Sequence, residues 1–177
     1  MAVNSKTLLP DAALFWQFSL ALYPGIQPLC LQWQDSYGAN VNLLLLLLYL
    51  QKQQLQCELS DIRLLQQSLN AEQQFTLALR QLRKSLPAGL NAKAAAQMKQ
   101  ALLKAELCAE QLEQKQLIAT LPQCRLSQVQ PATKAASLLT LYLQLLGVTL
   151  TDKLQAQILD LDQQAMQQDF PPSKSLI

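Results

Sequence analysis

Six consecutive leucines, Leu43 to Leu48, stand in a ten-residue block, Val41 to Leu50, whose one plainly polar member is Asn42. The block has no period of its own, but the Gln-rich continuation "QKQQLQ" extends it to a length that favours a helix, Val41 to about Gln54, over a buried strand. Asn40 stands where an N-cap belongs. A block of ten positions falls short of the roughly 20 needed to cross a bilayer, so this is predicted to be a core helix surrounded by packing.

Upstream, "DAALFWQFSLALY" is apolar on nearly every side, broken mainly by Gln17 and Ser19. Asp11 caps a helix here, and Pro24 with Gly25 is expected to stop it near Tyr23. A second short helix, about Ile26 to Tyr37, carries Leu29, Cys30, Trp33 and Tyr37 at helical spacing and ends at Gly38. Phe15, Trp16, Phe18 and Trp33 read as core.

Downstream, short helices are predicted from Ser60 to about Ser68 and from Asn70 to about Leu86, where Pro87 and Gly89 interrupt. Phe75, Leu79, Leu82 and Leu86 form a core-facing stripe in the second of these. Asn91 caps a helix of about thirty residues closed by Pro122, with a short coiled-coil-like seam of Met98, Leu102, Ala105, Ala109 and Leu112. Pro131 is expected in the first turn of a helix that ends at Gly147, and Thr151 or Asp152 starts the last helix. The expectation is therefore an all-α fold: a single-domain bundle of about seven or eight helices over residues 9–170, with a highly apolar central helix and a flexible tail at 171–177.

Composition sharpens this picture. Good helix formers dominate, Gly numbers four, and only 15% of residues are charged, the deficit being filled by 28 glutamines. The +2 net charge is spread along the chain, which leaves no basic stripe for a nucleic-acid partner. There is neither a basic amphipathic helix nor a span for a membrane partner. Cys30, Cys57, Cys108 and Cys124 contain no C-x-x-C pair, and no signal peptide is recognisable, so reduced thiols in the cytoplasm are expected. Histidine is absent, which removes Ser-His-Asp and Cys-His sites and His-containing metal sites from this chain.

The segments "FWQFSLALYPGIQPLCLQWQDSYGANVNLLLLLLYL", "LRQLRKSL" and "AELCAEQLEQKQL" together resemble an uncharacterised proteobacterial family, an all-helical domain of unknown function. The resemblance covers about the first 120 residues. It implies a small cytoplasmic protein and names no reaction. Two positions depart from the family pattern, Asn40 in place of an Asp and Phe75 in place of a Trp, and both swaps keep a structural role.

Candidate chemistry is sparse. Arg80 and Arg83 share one helix face and could clamp an anion or partner, or pair within the chain. Glu106, Glu110 and Glu113 form an i, i+4, i+7 row, expected to be a solvated face or to pair locally with Lys99, Lys104 and Lys115. A simple hairpin about Pro87 to Leu90 would hold the arginines roughly 15 to 25 Å from Glu106 and Glu110, making Asp35, Glu58 or Asp61 the expected partners. Gln34, Asn40 and Asn42 crowd a helix junction, where they serve the exposed backbone groups or line a polar site.

No catalytic dyad, phosphate loop or metal-ligand cluster stands out, and no cofactor is expected. Two readings follow. One is a non-enzymatic protein-interaction or adaptor module, with another protein as partner. The other is an anionic-ligand binder or enzyme using Arg80, Arg83 and Asp35. Convergence of those three residues on one concavity would favour the second.

Overall fold

The computed structural model describes residues 9–129 and 135–169. The expected helix start at Pro131 and the tail at 171–177 lie outside them. Among the described residues there are seven α-helices: α1 Ala12–Tyr37, α2 Val41–Lys52, α3 Leu59–Ser68, α4 Asn70–Lys84, α5 Ala92–Thr120, α6 Leu138–Leu145 and α7 Asp152–Gln167. A two-residue ribbon, β1 Leu55–Gln56 against β2 Ser127–Gln128, is antiparallel. The fold is all-α.

Helix α2 is the centre. Every residue from Asn42 to Leu50 is buried, and α1, α5, α6 and α7 all pack on it. With neighbours on all sides, no face of α2 needs a polar stripe, and the leucine run is the sequence of a helix without a solvent side. Asn40 caps it through Leu43 N–H at 2.9 Å. Tyr49 packs its ring against Phe15 and Phe18 of α1, at centroid distances of 5.5 and 5.0 Å. No described helix is long and apolar enough to cross a membrane.

The expected break at Pro24 does not occur: α1 runs unbroken through Pro24 and Pro28 to Gly38, whose φ of 69° forms the left-handed C-cap. Each proline removes one backbone hydrogen bond and crowds the carbonyl four residues back, at about 3 kcal/mol. The two lie four apart on the exposed face, so the freed carbonyls, of Leu20 and of Pro24, remain open to water. On the opposite face Leu22, Ile26 and Trp33 are at most 1% exposed. Burial of such side chains gives about 1.5–3 kcal/mol each and holds the helix through the prolines.

The α4–α5 hairpin also departs from expectation. Arg83 meets Glu106 and Arg80 meets Glu110, although a tight turn at Pro87 to Leu90 would place Arg83 opposite the first turn of α5. The difference is in the connector, residues 85–91. It continues in the direction of α4 before α5 returns, and a non-helical stretch of this length can reach about 20 Å. The first turns of α5 therefore overshoot α4. α4 presents Thr76, Arg80 and Arg83 to α5, and only half of the predicted stripe is covered: Leu79 and Leu86 are half-buried, whereas Phe75 and Leu82 are 58% and 57% exposed. The seam expected on α5 is kept only in its middle: Ala109 is buried and Leu102 and Ala105 are half-buried, whereas Met98 and Leu112 are exposed and Glu106, Glu113 and Leu117 face inward.

Candidate functional site

Most of the buried polar residues among the described ones, Ser19, Asn40, Asn42, Thr76, Glu113 and Gln114, gather at one place, where the start of α2 meets α1, α4 and α5. Glu113, 2% exposed, is the hub. Its Oε2 accepts from Asn40 Nδ2 at 3.1 Å and Asn42 Nδ2 at 3.0 Å. Its Oε1 accepts from the Thr76 hydroxyl, which has the Glu72 carbonyl as second acceptor at 3.1 Å. The N-terminus of α2 carries partial positive charge, and a carboxyl group held there by two amides beside the first turn is favourably placed. Asn40 N–H donates to Tyr142 Oη at 2.7 Å, and burial pushes the Tyr142 phenol up to about 12.

Next to Glu113, Gln114 is also 2% exposed. Its Nε2 donates to Ser19 Oγ at 2.9 Å and to Asn42 Oδ1 at 3.0 Å, and Ser19 in turn donates to the Phe15 carbonyl at 2.9 Å. The amide orientations follow from one another. Asn40 must turn its oxygen to Leu43 N–H and so offers nitrogen to Glu113. Asn42 must likewise offer nitrogen to Glu113, which points its oxygen at Gln114. Gln114 must then answer with nitrogen. What remains is Gln114 Oε1, a buried acceptor with no hydrogen-bond partner.

This floor closes one end of a cavity of about 390 Å³. Trp16, Tyr23 and Leu45 line its walls, and Leu20, Leu31, Leu77 and Leu107, each about 40–50% exposed, surround the mouth. Arg80 and Glu110 stand in the α4 and α5 walls, and Gln34 and Asp35 stand at the end of α1.

The predicted site residues are thus partly brought together. Arg80, Asp35, Gln34, Asn40 and Asn42 share the cavity, whereas Arg83 does not line it. The arginines find neither Asp35, Glu58 nor Asp61. Arg83 makes a two-pronged contact with Glu106, through Nε to Oε1 and Nη2 to Oε2, and this contact pushes its guanidinium pKa up further. Arg80 bridges Glu106 at 3.7 Å and Glu110 at 3.3 Å. Asp61 instead caps α3 by accepting from Glu58 N–H at 2.9 Å, and it receives Arg125 N–H at 3.2 Å.

The glutamate row is not a solvated face, since Glu106 and Glu113 are buried, and among the described residues Lys99, Lys104 and Lys115 make no ion pair with it. Burial pushes the Glu110 carboxyl above its ordinary range, opposed by Arg80 and reinforced by the two neighbouring glutamates. Among the described residues no group of three His, Cys, Asp or Glu could hold a metal ion. Ser19, Thr76 and Gln114 were not singled out from the sequence as site residues, and Glu113 was named only as part of a glutamate row expected to be solvated or paired with lysines. The usable signal was a lone polar side chain in an apolar run, which Ser19 and Asn42 both are.

Residues 14–117 match the family described as "Protein of unknown function (DUF2390)". The chain belongs to this family. No curated protein and no solved structure matches it. Every residue lining the cavity, from Trp16 to Gln114, falls inside the span matched to DUF2390, while α6 and α7 lie beyond it.

Proposed function

We propose that this DUF2390 protein is a small-molecule binder, and that the cavity between α1, α2, α4 and α5 is its binding site. The observation that carries the reading is the cavity itself, about 390 Å³ between Trp16, Tyr23, Leu45 and Leu77 with Ser19, Asn42, Thr76 and Gln114 gathered at one end. Apolar walls around a few convergent polar groups are the usual composition of a ligand site. Four free thiols, two of them buried, support a reducing, cytoplasmic setting.

The test is a fragment screen by two-dimensional NMR on the full chain. Small amphipathic fragments are expected to shift amides around Ser19, Asn42, Thr76 and Gln114, and Leu77→Trp, which fills the mouth from an exposed position, is expected to abolish those shifts. Hits confined to other surfaces would contradict the reading.

A second reading, a protein-interaction module, is favoured by the outer side of the α4–α5 hairpin. Phe75, Leu82, Leu103 and Leu112 are each 39–58% exposed there, an uncommon density of large apolar side chains. It ranks second because these residues enclose no built pocket.

A further inference from the structure

We infer that the flank of the α4–α5 hairpin turned away from the cavity is a docking groove for one amphipathic helix of a partner protein, with acidic residues along an edge of that helix's apolar stripe. The inference rests on the second reading above and is independent of the cavity.

Two stripes meet on this flank. Apolar positions 75, 79, 82 and 86 on α4 and 98, 102, 105, 109 and 112 on α5 alternate steps of four and three, the narrow seam of helices that pack on a further helix. Contacts between the two helices bring the stripes level. Thr76 meets Glu113 and Arg83 meets Glu106, so the residues just before them, Phe75 with Leu112 and Leu82 with Ala105, stand at matching heights. At about 100° per residue, both stripes lie roughly opposite Leu77 and Leu107, the hairpin leucines of the cavity mouth.

Burial gives the flank its shape. Along the line between the helices Leu79, Leu86 and Leu102 are half-buried and Ala109 is buried. To either side, Phe75 and Leu82 on α4 and Leu112 on α5 are 53–58% exposed. A floor between two apolar rims is the form that receives a helix through anchors at three- and four-residue spacing.

Area favours a single helix over a second copy of the chain. The α4 stripe is roughly 17 Å long, and with axes about 8–10 Å apart the groove offers on the order of 300 Å². A stable interface between whole proteins buries about 800 Å² on each partner.

Charge specifies the helix. Lys104 and Lys115 are exposed on the outer edge of the α5 stripe, about 16 Å apart, and among the described residues neither makes an ion pair. The α4 edge is uncharged, formed by Ala71, Gln74, Ala78 and Gln81. Glu106, Glu110 and Glu113 turn into the α4–α5 contact or the cavity, and Glu72 is half-buried at the end of the α4 stripe. A second copy would set the same two lysines against this face. A helix with carboxylates about three turns apart on one edge matches both. A bilayer surface suits a protruding apolar ridge with many cations, whereas this face has a sunken floor and two lysines.

The test uses three labelled synthetic helices of about 18 residues, ~27 Å long, on the full chain at pH 7 and low salt. The first has leucine at heptad positions a and d and glutamate at e and g, where like charges keep it monomeric. The second has lysine in place of glutamate, and the third is the first with its leucines shuffled out of register. Fluorescence anisotropy is expected to show the first bound at least tenfold more tightly than the others. The double variant Phe75→Ser with Leu82→Ser should weaken it at least tenfold. Lys104→Glu with Lys115→Glu should weaken it at least fivefold and strengthen the lysine peptide. Leu159→Ser, at a position 62% exposed on α7, should change it less than twofold. Should the Phe75, Leu82 variant fail to fold, the lysine reversal and the order of the peptides decide the matter.

A lysine peptide bound as tightly as the glutamate peptide, in a manner that Phe75→Ser with Leu82→Ser abolishes, overturns the acidic partner and leaves the interaction face standing. A dimer in sedimentation, or adsorption to phosphatidylserine vesicles, that the same variant abolishes overturns the partner helix in favour of a second copy or a membrane. Binding of no peptide at millimolar concentration overturns both the helix and the interaction face.

Discussion

The carboxyl group of Glu113 on α5 and the side-chain amide of Asn42 on α2 meet at 3.0 Å, 71 positions apart in the chain. That contact places a carboxyl beside the first turn of the most apolar helix in the protein, and the polarity of the whole cavity floor follows from it.

Replacing Glu113 should show how far the network depends on acceptors. Glu113→Leu leaves the Asn40 and Asn42 amides buried without their acceptor and is expected to cost about 3–5 kcal/mol. Glu113→Gln keeps one oxygen for both amides and can turn its nitrogen to Thr76, so a loss of about 1 kcal/mol or less is expected. Urea unfolding at constant m-value measures both. Equal losses would show that charge, not acceptor geometry, decides the site.

The register of α4 on α5 makes a separate prediction. A double-mutant cycle of Arg83→Ala and Glu106→Ala should give a coupling of about 1–3 kcal/mol. Arg83 is partly exposed, with a side chain 21% accessible, so solvent screening keeps the value towards the lower end. The tight-hairpin register, with the two side chains roughly 18 Å apart, gives no coupling.

That register marks the boundary of what was legible in the sequence. Caps and lengths were readable because they are local: Asn40 and Asn91 hold α2 and α5 as their spacing implied, and the leucine run had one physical explanation. The continuity of α1 through Pro24 was hidden, because the breaking tendency of proline is local while the burial that overrides it comes from α2, α5 and α7. The site was hidden for a related reason. Arg80 and Asn42 were legible as candidates, but their partners on α5 depend on how far the connector at 85–91 carries the chain. An amphipathic reading of α4 chose Phe75 and Leu82 for the core, whereas the helix buries Thr76 against a carboxyl.

Stability should fall in alkali. Burial holds Tyr142 near 12 against an ordinary 10.0, Cys30 and Cys57 near 12 against 9.0, and Cys124 near 11. In each case the folded state keeps a proton that the unfolded state releases. The stabilisation is therefore complete below pH about 9 and lost as pH rises from there towards about 12. Thermal unfolding between pH 7 and 11 is expected to show a level melting temperature followed by a decline beginning near pH 9. A level profile through pH 11 would contradict the burial of these groups.

Thiol labelling provides a check on the core that does not depend on titration of the fold. At pH 8 a disulfide reagent is expected to label the exposed Cys108 rapidly and the half-buried Cys124 slowly, leaving the buried Cys30 and Cys57 unreactive until the protein unfolds. Mass spectrometry of quenched digests assigns the sites. Early labelling of Cys30 would mean that α1 is not seated on α2.

The most direct test is a crystal structure of the full chain with the amphipathic fragments that shift the amides around Ser19, Asn42, Thr76 and Gln114. The account predicts fragment density between Trp16 and the leucines of the mouth. A cavity holding only ordered water, or fragments bound only on other surfaces, would contradict it.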